Sequence, residues 1–203
     1  MNKRQISALE TKQKLVESAI LLLKEKGFEA INVEDITKKA NVAKGTFYCH
    51  FKRKEDIVNE ISRSPFRELK NKLKLMENTN FIERISYYFK NFMILVENFN
   101  INICREWLKD AINPNSTPDN KDGGKWFYDI ETLESILFDA IKNNELKKET
   151  PVDLFSKLLI SELYGMMLSW CMSDGAFEPL EWTEKFCKTQ LDKIFEPYII
   201  KGK

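Results

Sequence analysis

Hydrophobic positions recur every three to four residues along almost the whole chain, and no alternating stretch of strand character interrupts them. The first run, Ala8 to Lys26, places Leu15, Val16, Ala19, Ile20, Leu22 and Leu23 on one side of a helix. Gly27 follows as a C-cap residue, and Phe28 can fold back on the last turn. Asn32 caps a second helix over Val33 to Ala40, whose first turn sets Glu34 and Asp35 against the helix dipole. The turn Asn41-Val42-Ala43 leads into a short third helix, Lys44 to about His50. A fourth is predicted from near Lys54 to about Glu77, bent at Pro65, which has no N–H for the helical ladder.

Past Asn78 the pattern becomes more apolar. Phe81–Asn98 and Ile101–Ala111 read as helices, and residues 113–124, rich in Asn, Pro, Asp and Gly, read as the one clear long loop. Further helices are expected over Lys125–Asn143, Pro151–Ser173 and Pro179–Ile200, the last two opened by a proline near the first turn. The predicted fold is all-α, with about nine helices and no internal repeat. Residues 1–58 form a three-helix N-terminal domain, and residues 59–203 a larger helical body.

The second and third helices, two turns each and joined by a three-residue turn, have the form of a helix-turn-helix. At about 100° per residue, Phe47 and Phe51 fall on one side of the third helix and can pack on Ile36, Val42 and Ile57. Gly45, Thr46, Cys49 and His50 point the opposite way, with Lys44 and Tyr48 on the flanks. Gly45 lets a duplex come close to the backbone. Thr46 offers a hydroxyl and a methyl to bases, and the polar tips of Tyr48 and His50 can reach phosphates. Lys44, Lys52, Arg53 and Lys54 ring this face with positive charge. Lys54 also stands where the fourth helix aims its N–H groups, a second place for an anion.

Charge distribution supports the same division. Residues 1–64 carry 13 Lys and Arg against 9 Asp and Glu, while residues 65–203 carry 19 against 22. A basic front end is thus joined to a mildly acidic body. The four cysteines are scattered, without CxxC or zinc-ligand spacing, which fits reduced thiols in a cytoplasm and predicts neither metal nor cofactor. No stretch approaches the roughly 18–20 apolar residues of a membrane span, and the polar Met1–Glu10 argues against export.

The runs Gly27-Phe28-Glu29-Ala30 and Val33 to Asp56, with the block Lys44-Gly45-Thr46-Phe47-Tyr48-Cys49-His50-Phe51-Lys52-Arg53-Lys54-Glu55, closely resemble the DNA-binding domain of TetR-family bacterial regulators. The resemblance covers about Thr11 to Val58. It implies a homodimeric, all-helical regulator, usually a repressor, that binds double-stranded operator DNA and whose C-terminal domain takes a small-molecule inducer. It also implies operator contact at Lys44, Thr46, Tyr48, His50 and Lys54. Two positions depart from the family pattern. Asn41 replaces the usual turn glycine, and Cys49 stands where an aromatic or basic residue is common, which leaves the operator sequence open. A redox role for Cys49, beside cations that favour thiolate, stays open as well.

The body is crowded with aromatic residues, which either fill a plain core or line an apolar pocket. Tyr88, Phe89, Phe92, Cys104, Trp107, Phe127 and Tyr128 are the candidate pocket residues, with an inducer that is largely apolar or aromatic. Arg105 and Glu106 are polar groups that could set its charge. The last two long helices carry more apolar surface than one neighbour can bury. The family resemblance makes them a bundle across a two-fold axis, with Leu159, Leu163, Met167, Trp170, Phe186 and Ile194 as candidate interface residues and Gly165 allowing close approach. An enzyme would need a nucleophile with a base or clustered ligands, and the single His lies on the DNA face. A helical adaptor gripping a protein through its helix-turn-helix is the other rival. The expected setting is a bacterial cytoplasm, on the nucleoid when DNA is bound.

Overall fold

The structure, a computed structural model, describes residues 2–76, 79–112 and 124–200. The long loop expected at 113–124 lies outside the described residues except for Gly124. Ten helices are present among the described residues, with one isolated antiparallel bridge between Leu146 and Ile199 and no strand. They are α1 (Lys3–Lys26), α2 (Val33–Lys39), α3 (Lys44–His50), α4 (Asp56–Lys74), α5 (Phe81–Phe99), α6 (Ile101–Ile112), α7 (Gly124–Lys142), α8 (Val152–Met172), α9 (Pro179–Thr189) and α10 (Leu191–Phe195).

The chain forms two compact units. Met1–Pro65 and Phe99–Ile112 make the first, and Phe66–Asn98 and Asn113–Lys203 make the second. In the first unit α1 starts early because Asn2 and Gln5 close a reciprocal capping box over its first turn. Leu15, Ala19 and Leu23 of α1 are fully buried, together with Ile36, Phe47 and Ile57. The sixth helix packs against α1 in this unit. It is started by Asn100, which has φ 68° and whose side-chain oxygen accepts from Asn102 N (3.0 Å) and Ile103 N (3.2 Å).

The fourth helix continues through Pro65 and supplies residues to both units. In the second unit α7 packs along α8, with Leu133, Leu137, Ile160 and Leu163 fully buried. The single helix expected over Pro179–Ile200 divides at Gln190, where φ −120° and ψ −34° leave the helical region. Residues 198–200 then run beside the turn after α7. There Lys147 N donates to Tyr198 O (2.9 Å) and Ile200 N to Glu145 O (3.0 Å). Those bonds use Tyr198 O and Ile200 N, so the helix does not continue past α10 and the backbone exchanges helix for a bridge.

Candidate nucleic-acid interface

The angle between α2 and α3 is set by local hydrogen bonds. Asn32 caps α2 reciprocally with Asp35, both bonds being 2.9 Å. At the other end Ala40 N donates to Ile36 O (2.9 Å) and Val42 N reaches back to Thr37 O (2.9 Å). Between them Asn41 has φ 54°, a left-handed conformation that Asn adopts more readily than most residues.

The third helix has no side-chain cap and is anchored instead by Phe47, which is fully buried and 5.2 Å from the Phe51 ring. That anchor turns the opposite face outward. Gly45, Tyr48 and Cys49 are exposed, and Thr46 and His50 are half-buried. Tyr48 stands edge-on to Phe47 at 5.5 Å while remaining 51% exposed. Gly45 has ordinary helical backbone, and a Cβ placed there would meet no atom within 4 Å. Glycine in a helix is about 0.5–1 kcal/mol less stable than alanine. The fold therefore gains nothing from this glycine, whereas a close external surface would.

Lys44, Arg53 and Lys54 are engaged within the protein, Arg53 through its guanidinium 3.3 Å from Asp56. Lys44 is ion-paired with Glu34, and both side chains are exposed. The hydrogen bond between them raises the Lys44 pKa and lowers that of Glu34. Lys54 donates to the carbonyls of Phe28 and Ile31, each at 2.9 Å, with its ammonium 3.9 Å from the Phe28 ring. It clamps the connection between α1 and α2. At the start of α4, Asp56 accepts from the backbone N–H groups of Lys52 and Arg53, both at 2.9 Å. The carboxylate thus ties down the loop before α4, which begins at Asp56 and not at Lys54.

The candidate pocket residues fall in different places. Tyr88, Phe89 and Phe92 are fully buried in the second unit; Tyr128 there is half-buried and Phe127 is 51% exposed. Cys104 and Trp107 are buried in the first unit, on α6 with Arg105 and Glu106. Glu106 is paired with Lys109 at 2.6 Å. The candidate interface residues also separate. Leu159, Leu163 and Met167 are buried within the protomer, while Trp170, Phe186 and Ile194 are half-buried, Phe186 stacking on Phe89 at 5.8 Å. The exposed line on α8 is instead Leu154, Leu158, Ser161, Gly165, Leu168 and Met172. Its spacing of four and three residues runs along one helical face.

One polar centre in the second unit escaped sequence reasoning. Asp129 is fully buried and accepts from the hydroxyls of Tyr88 (2.6 Å) and Tyr164 (2.8 Å) and from the Lys125 ammonium. Burial, then the neighbouring carboxylate, pushes both tyrosine pKa values well up. Burial lowers that of Lys125, opposed by Asp129. The available signal was a carboxylate on the apolar face of a predicted helix, in line with Leu133, Ile136 and Ala140.

A short buried-anchor helix presented with glycine, threonine and tyrosine outward defines a helix-turn-helix DNA-binding regulator. Residues 15–61 match the model of bacterial regulatory proteins of the tetR family. The fatty acid metabolism regulator protein of Bacillus subtilis is 23% identical, across 81% of this chain and 85% of its own. The biofilm operon negative transcriptional regulator IcaR of Staphylococcus aureus is 26% identical, across 82% and 89%. A solved structure of a candidate fatty acid metabolism regulator from Clostridium perfringens superposes with a TM-score of 0.63 at 27% identity, covering 93% of this chain and all of that one. Residues 15–61 thus carry the DNA-binding domain of the tetR family, and most of the chain is similar to regulators of that kind at 23–27% identity. No helix among the described residues is long and apolar enough to cross a membrane.

Proposed function

We propose that the protein is a ligand-released repressor that binds palindromic operator DNA as a homodimer in the bacterial cytoplasm. The observation that carries the DNA reading is the outward face of α3. Phe47 fixes the helix while Gly45, Tyr48 and Cys49 stand exposed beside Thr46 and His50. Lys44 and Lys54 complete the proposed contact set, Lys44 by exchanging its Glu34 partner for phosphate. The similarity to a negative regulator over 82% of this chain supports repression.

Dimerisation is assigned to the exposed line Leu154, Leu158, Ser161, Gly165, Leu168 and Met172. An isologous pair would present two α3 helices about 34–36 Å apart, or slightly more, which calls for a palindrome. The inducer, largely apolar or aromatic, is placed in the second unit among Tyr88, Phe92 and Tyr128. Since α4 contributes to both units, displacing its C-terminal half would change the spacing of the reading heads. A difference of a few kcal/mol between spacings is enough to empty the operator.

Operator titrations test the reading. Thr46→Ala and Tyr48→Phe, each shown to be folded, are expected to weaken binding roughly fivefold, about the value of one hydrogen bond. The affinity of the parent protein should fall steeply and log-linearly with salt. Unchanged affinity in both variants, or a flat salt dependence, would remove the assignment.

A further inference from the structure

Four helices of the second unit bring their aromatic and polar side chains around the ammonium of Lys125. Phe66 comes from α4, Tyr88 and Phe92 from α5, Tyr128 and Asp129 from α7, and Tyr164 from α8. The Lys125 nitrogen lies 3.8 Å from the Phe66 ring centre, 4.9 Å from that of Phe92 and 5.6 Å from that of Tyr128. Behind it stands Asp129. The rings brace one another: Phe66 and Phe92 are 4.8 Å apart, and Phe92 and Tyr164 5.9 Å.

The two halves of this ion pair are not equally fixed. Asp129 is 0% exposed and held by two tyrosine hydroxyls on opposite oxygens, so its negative charge belongs to the scaffold. Lys125 is 17% exposed at the end of a flexible stem. It sits in the first turn of α7, where the helix dipole disfavours a cation. Lys70, 4.3 Å from the Tyr128 ring, repels whichever cation occupies the cage. An incoming anion would have to draw Lys125 away and leave a buried carboxylate unpaired, which is strongly unfavourable. An incoming cation leaves Asp129 paired, and the displaced ammonium returns to water. Rings around a carboxylate favour a diffuse charge with an apolar body, as aromatic cages do for quaternary ammonium groups.

We propose that this cage is a binding site for organic ammonium ions, and that Lys125 is the occupant they displace. The site rests on the ligand-responsive reading given above and adds the charge of the effector to it.

Benzyltrimethylammonium chloride is a suitable probe, with benzyl alcohol, benzoate and matched sodium chloride as controls. Binding to the full-length protein is followed by calorimetry without DNA. The cation alone is expected to bind, at least tenfold more tightly to Lys125→Met and at least tenfold more weakly to Asp129→Asn. If Lys125→Met is unstable, its melting temperature should rise with the probe and not with sodium chloride. Phe66→Leu leaves the ion pair in place and should weaken binding at least threefold. Cation binding that Lys125→Met leaves unchanged, or benzoate binding that Lys125→Met abolishes, would overturn the proposal. A probe that binds as expected but leaves the operator complex intact would overturn release by this ligand and leave the site standing.

Discussion

Glu34 and Lys44 meet across the helix-turn-helix although ten positions separate them, and the pairing places a carboxylate at the edge of the proposed DNA face. In the free protein it holds Lys44; on DNA it would repel phosphate. Glu34→Gln removes both effects, so operator affinity should rise about two- to fivefold, in keeping with an exposed pair. Fluorescence anisotropy on the operator would register it, and unchanged or weaker binding would count against Lys44 as a contact. Gly45 makes a sharper case. Its backbone is ordinary and the space above it open, so Gly45→Ala should stabilise the protein by about 0.5–1 kcal/mol in denaturant unfolding. The same methyl would stand between helix and duplex, and affinity should fall at least fivefold. A variant that is more stable and binds equally well would show that DNA does not approach there. The positive φ of Asn41 is accommodated by its residue type, and the outward placement of Gly45 follows from the spacing of the chain. The clamp made by Lys54 does not, because Phe28 and Ile31 lie far from it in sequence.

At the scale of the element, α8 shows how one helix serves two purposes. Phe155, Leu159, Leu163 and Met167 turn inward, while Leu154, Leu158, Gly165, Leu168 and Met172 remain exposed on another side. Periodicity alone marked this helix as too apolar for one neighbour, yet it could not say which arc the protomer itself would cover. Gly165 repeats the logic of Gly45: a Cβ there meets nothing within 4 Å. Gly165→Leu should therefore fold with undiminished helix content but pair at least tenfold more weakly in sedimentation analysis, and an unchanged dimer would reject this line as the interface. The last predicted helix has helical apolar spacing throughout, yet it stops at Phe195, because the bonds of Tyr198 O and Ile200 N to the turn after α7 take backbone groups that a continuing helix would need.

For the molecule as a whole, α6 illustrates what distance along the chain hides. It follows α5 directly, yet it packs on α1 and belongs to the compact unit of the helix-turn-helix. Cys104, Trp107, Arg105 and Glu106 go with it into the first unit, whereas Tyr88, Phe89, Phe92, Phe127 and Tyr128 belong to the second. Local periodicity, caps and turn residues were enough to determine the all-helical fold, the helix-turn-helix and the face that α3 turns outward, because these depend on neighbours within a few positions. Only tertiary structure decided which apolar faces stay open, where Lys54 anchors, and that Asp129, Lys125, Tyr88 and Tyr164 converge. Those outcomes join residues tens of positions apart, and whether a buried charge is satisfied is known only once every helix around it is in place.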